Sequence, residues 1–360
     1  MKRKPLEGYR IIELSESMPA AVCGQLLSDF GADVIKIEQS ADIKLERSHY
    51  AAQNRGKTSV VLDFNNNKDI PEFQTLVKSC DAFITDAVDF AQRTGFTHQV
   101  LKAWNPKLIY NLISGYGADG PYACRTFSDQ TIQAESGIMS ITGEENSKPV
   151  LSGGPVAEYL GGAMGCIGTL MALIGRLKNG QGRFVDISTM DSVLFGLENQ
   201  FSAYLKNGVI PVPIGNNYHL SAPVGVFPCK DGELTISVAT DTQWHAFAEA
   251  LGHTEWLENP RFQSVQDRIN HYLEINEEVG KAFSVYTRDE LIALLQSRHC
   301  VYGCVNNFLD VVNHPQVKHR QTFVKATYQD GDSYIVPSSP IRMNDMEPVI
   351  EYQVPESTRK

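Results

Sequence analysis

The sequence predicts an α/β protein with a parallel sheet covered by helices, followed by a smaller α+β domain. Two observations predict the sheet, namely the apolar, β-branched composition of several short runs and their alternation with helical segments. Short apolar, β-branched runs alternate with helical segments through the first half of the chain, and such runs are typical of parallel strands that are buried on both faces. A third observation concerns size. With 360 residues, of which 42% are hydrophobic and 21% charged, the chain is long enough for two folded domains.

Six strands are predicted in the first half of the chain, at 10–14, 33–37, 58–62, 82–85, 108–113 and 184–187. The predicted helices between and after them cover 20–30, 70–78, 98–104 and 191–204. Alternation of this kind places helices on both faces of one sheet.

The pattern changes after 208–215, a stretch that carries proline and glycine and interrupts helix. Beyond it, Asp231-Gly232 indicates a turn between strands 226–229 and 234–238, and the tail from Val324 returns to β-like segments. We predict four segments: 1–205 as the first part of a large domain, 206–222 as a linker, 223–305 as a small α+β domain, and 306–360 as the return to the large domain.

Charge and cysteine usage restrict the function and the compartment. The formal net charge of −10 argues against nucleic acid as a partner, and an anionic ligand would need local Lys and Arg residues. Seven scattered cysteines without a C-x-x-C pair are typical of reduced thiols. The first eight residues lack the apolar region of a signal peptide. We therefore expect a cytoplasmic protein without a metal or other permanently bound cofactor.

One uncharged stretch, 159–175, approaches the length of a membrane span. It is rich in glycine and alanine, which allow close helix packing inside a folded core. We therefore expect a core helix here and no membrane partner.

Residues 115–120 match the dinucleotide fingerprint G-x-G-x-x-G after a predicted strand. Pro121 follows at once, and no acid ends a second strand about 20 residues later. We interpret the segment as a loop at the carboxyl end of a strand, and not as a nicotinamide site.

A series of motifs runs along residues 5–345 in a fixed order. They lie at 26–38, 54–63, 105–110, 114–122, 129–137, 180–188, 259–262 and 313–315. In this order and spacing the chain resembles the family III CoA-transferases, a group that includes formyl-CoA transferase and the α-methylacyl-CoA racemases. The resemblance implies a Rossmann-like large domain, a smaller domain within it, and an interlocked homodimer. It also implies acyl-CoA and a small carboxylic acid as substrates.

The family's nucleophile is an aspartate just before a helix of small residues, and the matching position here is Glu158. A carboxylate can attack the thioester and form a mixed anhydride, which divides one difficult exchange into easier steps. Backbone donors in the neighbouring glycine-rich segment can hold the developing oxyanion. The alternative is that Glu158 only supplies a negative charge to the N-terminus of its helix.

The resemblance also implies contacts with coenzyme A. Arg93 matches the family's phosphate-binding arginine, and Leu62 lies in the strand that borders the nucleotide. Lys57 and Arg125 are further candidates that could equally be ordinary charged residues. Gln39 departs from the family pattern, which commonly has a basic residue there.

Two other functions stay open from the sequence. A racemase would need a base next to Asp129, where this chain has Ser128, and a second acid where it has Thr240. A catalytically silent acyl-CoA-binding paralogue is the second alternative, since several family positions differ.

Overall fold

The structure is a computed structural model that describes residues 4–40, 45–65, 68–344, 346 and 349–356. Its strands are β1 Arg10–Leu14, β2 Asp33–Glu38, β3 Thr58–Val61, β4 Ala82–Thr85, β5 Ile109–Ser114, β6 Phe184–Ser188, β7 Val224–Cys229, β8 Gly232–Ser237, β9 Tyr302–Cys304, β10 Phe323–Thr327, β11 Ser333–Pro337 and β12 Glu351–Gln353.

Helices connect most of these strands. They are α1 Met18–Asp29, α2 Arg47–Asn54, α3 Ile70–Ser79, α4 Phe90–Thr94, α5 His98–Trp104, α6 Asp129–Glu135, α7 Val156–Asn179, α8 Thr189–Gly196, α9 Glu198–Asn207, α10 Asp241–Leu251, α11 Val265–Asn270, α12 Tyr272–Phe283, α13 Arg288–Ser297, α14 Phe308–Asn313 and α15 Pro315–His319. Two short 3-10 helices lie at Ile138–Ile141 and Thr254–Leu257.

The predicted parallel sheet is confirmed. Its six strands lie in the order β3-β2-β1-β4-β5-β6, and each neighbouring pair is parallel. Successive residues of β1 enter different cores, because Ile11 packs with α1 and α7 while Ile12 packs with α3 and α5, and both are 0% exposed. Helices therefore cover both faces of the sheet, which is why its strands are apolar along their whole length.

Contacts divide the chain into two compact units. The first comprises 1–140, 151–211 and 315–360, and the second comprises 141–150 and 212–314. The first unit holds the parallel sheet and a mixed sheet in the order β11-β10-β12. The second holds the antiparallel sheet β7-β8-β9 over a core built around Trp244 and Phe247. The predicted domains and the linker 206–222 stay a prediction.

The predicted single helix over 191–204 is wrong. Helix α8 ends at Gly196 and α9 begins at Glu198, because Leu197 has φ −101° and ψ 20°, outside the helical region. The Leu197 side chain is buried, so packing redirects the chain at this residue. The short helices α2, α4 and α6 were not predicted, since their few apolar residues do not form a repeat at helical spacing.

Candidate active site at the carboxyl edge of the parallel sheet

The order of the parallel strands creates a crevice. From β1 the chain proceeds to β2 on one side, and it later returns to place β4 on the other side of β1. Loops that leave the carboxyl ends of two such strands run in opposite directions, so a ligand can enter between them. Glu16 and Ser17 follow β1 at this edge, and Asp86 follows β4.

Asp86 binds the loop that follows β1. One of its carboxylate oxygens accepts hydrogen bonds from the backbone amides of Glu16 (2.7 Å) and Ser17 (3.3 Å). The other accepts from the Ser17 hydroxyl (2.9 Å) and the Ala20 amide (3.1 Å). Asp86 therefore caps α1, whose own preceding residue makes no side-chain cap. Burial raises the pKa of Asp86 to about 6, although these four hydrogen bonds oppose the increase.

Glu158 lies in the first turn of α7 and is partly exposed. Burial raises its pKa to about 7, and the charges of Asp129 and Asp86 add to this effect. Among the residues that the structure describes, none forms an ion pair with Glu158 within 4.0 Å. Gly153 and Gly154 precede the helix, and a β-carbon added at either would contact nothing within 4 Å. Space is thus open beside these two glycines, and the raised pKa of Glu158 leaves part of its carboxyl groups protonated near neutral pH.

Arg93 lies on α4 and forms a polar cluster with Glu16 and Gln39. Its guanidinium donates to Gln39 Oε1 and to Glu16 Oε1, each at 2.9 Å. The Gln39 amide also donates to Glu16 Oε1 at 2.8 Å, and Asp89 lies 3.6 Å from Arg93. The Arg93 side chain is 37% exposed, so an anion can reach it, in competition with Glu16.

Lys57 and Leu62 lie inside the fold. The ammonium of Lys57 is 2.7 Å from a Glu13 carboxylate oxygen, and both side chains are 0% exposed. It also donates to the backbone oxygen of Ala21 at 3.0 Å. Burial lowers the pKa of Lys57 to about 8, although Glu13 favours the charged form. Leu62 is also 0% exposed. A coenzyme A contact at either side chain stays a prediction that this burial does not support.

Arg125 precedes α6 and is bound by an acid and two aromatic rings. It donates to both carboxylate oxygens of Glu135, at 2.6 and 3.2 Å. Its guanidinium carbon lies 5.2 Å from the centre of the Tyr116 ring and 5.0 Å from that of Tyr122. The side chain is 44% exposed, so a phosphate could reach it but would compete with Glu135 for the guanidinium.

Of the predicted site residues, the structure brings Arg93 and Glu158 to the same edge of the parallel sheet. Asp86 links them, because it binds the amide of Glu16, the partner of Arg93, and its charge acts on Glu158. Asp86 was not predicted as a site residue, and Asp129 was named only as part of a motif and as the neighbour of a racemase's base. The available signal for Asp86 was an acid directly after the fully buried strand β4.

Two further observations concern the predictions about a metal ion and a membrane span. No group of three or more His, Cys, Asp or Glu residues that could hold a metal ion occurs in the described ranges. Helix α7 is long and apolar enough to cross a membrane by length and composition, a test that core helices of soluble proteins also pass.

Comparisons with known proteins identify one family, and the matches extend over almost the whole chain. A family model described as CoA-transferase family III matches residues 6–358. The succinate–glutarate CoA-transferase of Agrobacterium fabrum is 31% identical, with 92% of this chain and 87% of the relative covered. The succinyl-CoA–D-citramalate CoA-transferase of Chloroflexus aurantiacus is 30% identical, with 89% and 83% covered. The crystal structure of a CaiB/BaiF family protein from Brucella suis is 30% identical, with a TM-score of 0.85, and covers 99% of this chain and 97% of its own.

Proposed function

The chain belongs to CoA-transferase family III, and we propose that it moves coenzyme A from an acyl-CoA thioester to a carboxylic acid through a covalent intermediate on Glu158. The observation that supports this proposal is the position of Glu158, a partly exposed carboxyl group at the start of α7 with open space beside the preceding glycines.

The proposed reaction begins with an ionised Glu158. A carboxylate oxygen attacks the thioester carbon, the C–S bond breaks, and a mixed anhydride and the CoA thiolate result. The thiolate then attacks the glutamyl carbon, which releases the donor acid and leaves a glutamyl thioester. The acceptor carboxylate attacks that thioester, which breaks the C–S bond, releases the CoA thiolate and forms a second mixed anhydride. The thiolate then attacks the acceptor acyl carbon of this anhydride, which forms the new acyl-CoA and releases the Glu158 carboxylate.

Two backbone amides in the first turn of α7 are not available to stabilise the oxyanion. The amides of Ala157 and Glu158 already donate to Asp129. We therefore assign the stabilisation of the oxyanion to the amides of the segment that contains Gly153 and Gly154, in line with the glycine-rich sequence.

Dicarboxylic acids are the proposed substrates. The relatives above are named for succinate, glutarate and citramalate, and the acetyl-CoA:oxalate CoA-transferase of Acetobacter aceti is 27% identical. For coenzyme A we propose Arg93 as the phosphate contact, because its bidentate donor fork suits a diphosphate and it remains partly exposed.

We also propose the interlocked homodimer that the resemblance implied. Helix α9 buries none of its residues within the chain, and α7 exposes Met171 by 67%, Ile174 by 57% and Leu177 by 73%. A second copy would cover such apolar surface, which monomers rarely expose. A cytoplasmic location without a membrane partner remains part of the proposal, supported by the free state of the seven cysteines.

Trapping the intermediate tests the mechanism. After incubation with succinyl-CoA, hydroxylamine should convert Glu158 to a hydroxamate that peptide mass spectrometry detects. Glu158→Ala should lose this product and reduce exchange by at least about a thousandfold. Glu198→Ala is the matched control, since Glu198 also lies in the first turn of a helix. An unmodified Glu158 together with full exchange in Glu158→Ala would refute the mechanism.

A further inference from the structure

The N-terminus of α7 is capped by a residue from another helix. Pro155 precedes the helix and provides no side-chain cap. Instead, Asp129 Oδ1 accepts hydrogen bonds from the amides of Ala157 at 2.8 Å and Glu158 at 3.2 Å. Asp129 is 4% exposed, so its carboxylate is held in a fixed place beneath the first turn.

Gln133 holds that carboxylate in turn. Its amide nitrogen donates to Asp129 Oδ2 at 2.5 Å, and its amide oxygen accepts from the Ser152 amide at 3.0 Å. The two residues lie four apart on α6, hence on the same face of that helix, and Gln133 is 2% exposed. The D-x-x-x-Q spacing therefore connects α6 to the segment before α7 and to its first turn.

We propose that Asp129 is a positioning residue for Glu158, which fixes the backbone of the first turn of α7 and places a second carboxyl group beside that of Glu158. This inference rests on the proposed role of Glu158. It adds that Asp129 determines the position of the Glu158 carboxyl group and the pH at which this group ionises.

The charges around Glu158 are consistent with this role. Asp129 from α6 is the largest electrostatic contributor to its raised pKa, and Asp86 after β4 is the second. Helix α1, which packs against α7, begins with the uncharged residues Met18 and Pro19, and α8 faces the start of α7 with Thr189. Two buried acids thus raise the pKa of Glu158, while a hydrogen bond with the backbone of Asp129 opposes the increase. Asp129 is also the acid that accepts a hydrogen bond from the Glu158 amide.

The test removes the charge and keeps a hydrogen-bond acceptor. Asp129→Asn should lower the midpoint of the pH–rate profile by about one pH unit, the effect of losing a neighbouring like charge. At pH 6 its rate, relative to its own plateau, should then rise by about fivefold, because the ionised fraction of Glu158 increases from about one tenth to about one half. Asp129→Ser, a neutral capping residue, should shift the midpoint in the same direction. Asp186→Asn is the matched control, since Asp186 also accepts from a backbone amide but does not act on Glu158.

A second measurement separates this inference from the proposed function. Nuclear magnetic resonance titration of ¹³C-labelled glutamate carboxyls, with Glu158→Gln for assignment, follows Glu158 without any turnover. A lower midpoint in both Asp129 variants supports the inference even if Glu158→Ala stays active, an outcome that would refute only the nucleophilic role. A Glu158 titration unchanged in Asp129→Asn or Asp129→Ser would overturn the inference and leave the nucleophilic role intact.

Discussion

Gly162 lies at a close contact between α7 and α1, and its substitution tests the packing that supports the site. A β-carbon at this position would lie 2.7 Å from the backbone oxygen of Pro19 and 2.7 Å from the Val22 β-carbon. The Pro19 carbonyl belongs to the first turn of α1, so it can move only if the helix moves.

We expect Gly162→Ala to lower the free energy of unfolding by about 1–2 kcal/mol. Overpacking of a core contact costs about 1–3 kcal/mol, and the better helix propensity of alanine offsets up to about 1 kcal/mol of that cost. The variant should also reduce exchange, because a shift of α7 would change the position of Glu158, which lies in the first turn of the same helix.

Gly175 is the matched control on the same helix. A β-carbon there would be 3.4 Å from Arg183 Nε, the end of a flexible side chain. Gly175→Ala should therefore keep or raise stability, by up to about 1 kcal/mol.

Urea unfolding followed by circular dichroism measures both variants, at one protein concentration because the protein is proposed to dimerise. Gly162→Ala should have a lower midpoint at an unchanged slope, and Gly175→Ala an equal or higher one. Equal effects of the two substitutions would refute the packing argument, since both replace a glycine in the interior of α7.

Two further predictions concern buried charge. Lys57→Ala should cost about 3–5 kcal/mol of stability in urea, because Glu13 would stay buried without its partner; a variant of normal stability that only binds CoA more weakly would contradict the buried-pair assignment. Glu158→Gln tests the raised pKa of Glu158. The carboxyl group ionises near pH 4.5 in the unfolded chain and near pH 7 in the fold, so the wild type should lose stability relative to Glu158→Gln as the pH rises through this window. One pKa unit corresponds to about 1.4 kcal/mol, and solvent screening reduces the total loss to about 1–2 kcal/mol; a difference that stays constant from pH 5 to 8 would exclude the shift.

The strands of the parallel sheet were predictable because each carries its own signal. The run 82–85 is a strand over the same bounds in the structure, where all four residues are buried. Residues 191–204 carried an equally good helical pattern, yet the chain turns at Leu197. A break of this kind depends on packing against other elements, which local sequence does not encode.

The candidate site also contains one feature that the sequence predicted and one that it did not. The position of Glu158 was predictable from its motif, since an acid before an uncharged, glycine-rich helix is a local pattern. Lys57 shows the opposite case. Lys57 directly precedes the predicted strand 58–62, and only the tertiary structure shows that its ammonium is buried against Glu13.

The sequence alone determined the α/β class, the family and the acid that opens α7, because these depend on local periodicity and on ordered motifs. The tertiary structure decided which charges meet. Asp86 is 72 residues from Glu158 along the chain, and Asp129 is 29 residues away; both act on it because the strand order brings the ends of β1 and β4 together and α6 packs against α7. The pKa of a carboxyl group depends on its burial and on charges within a few ångströms, and these distances exist only in the folded chain.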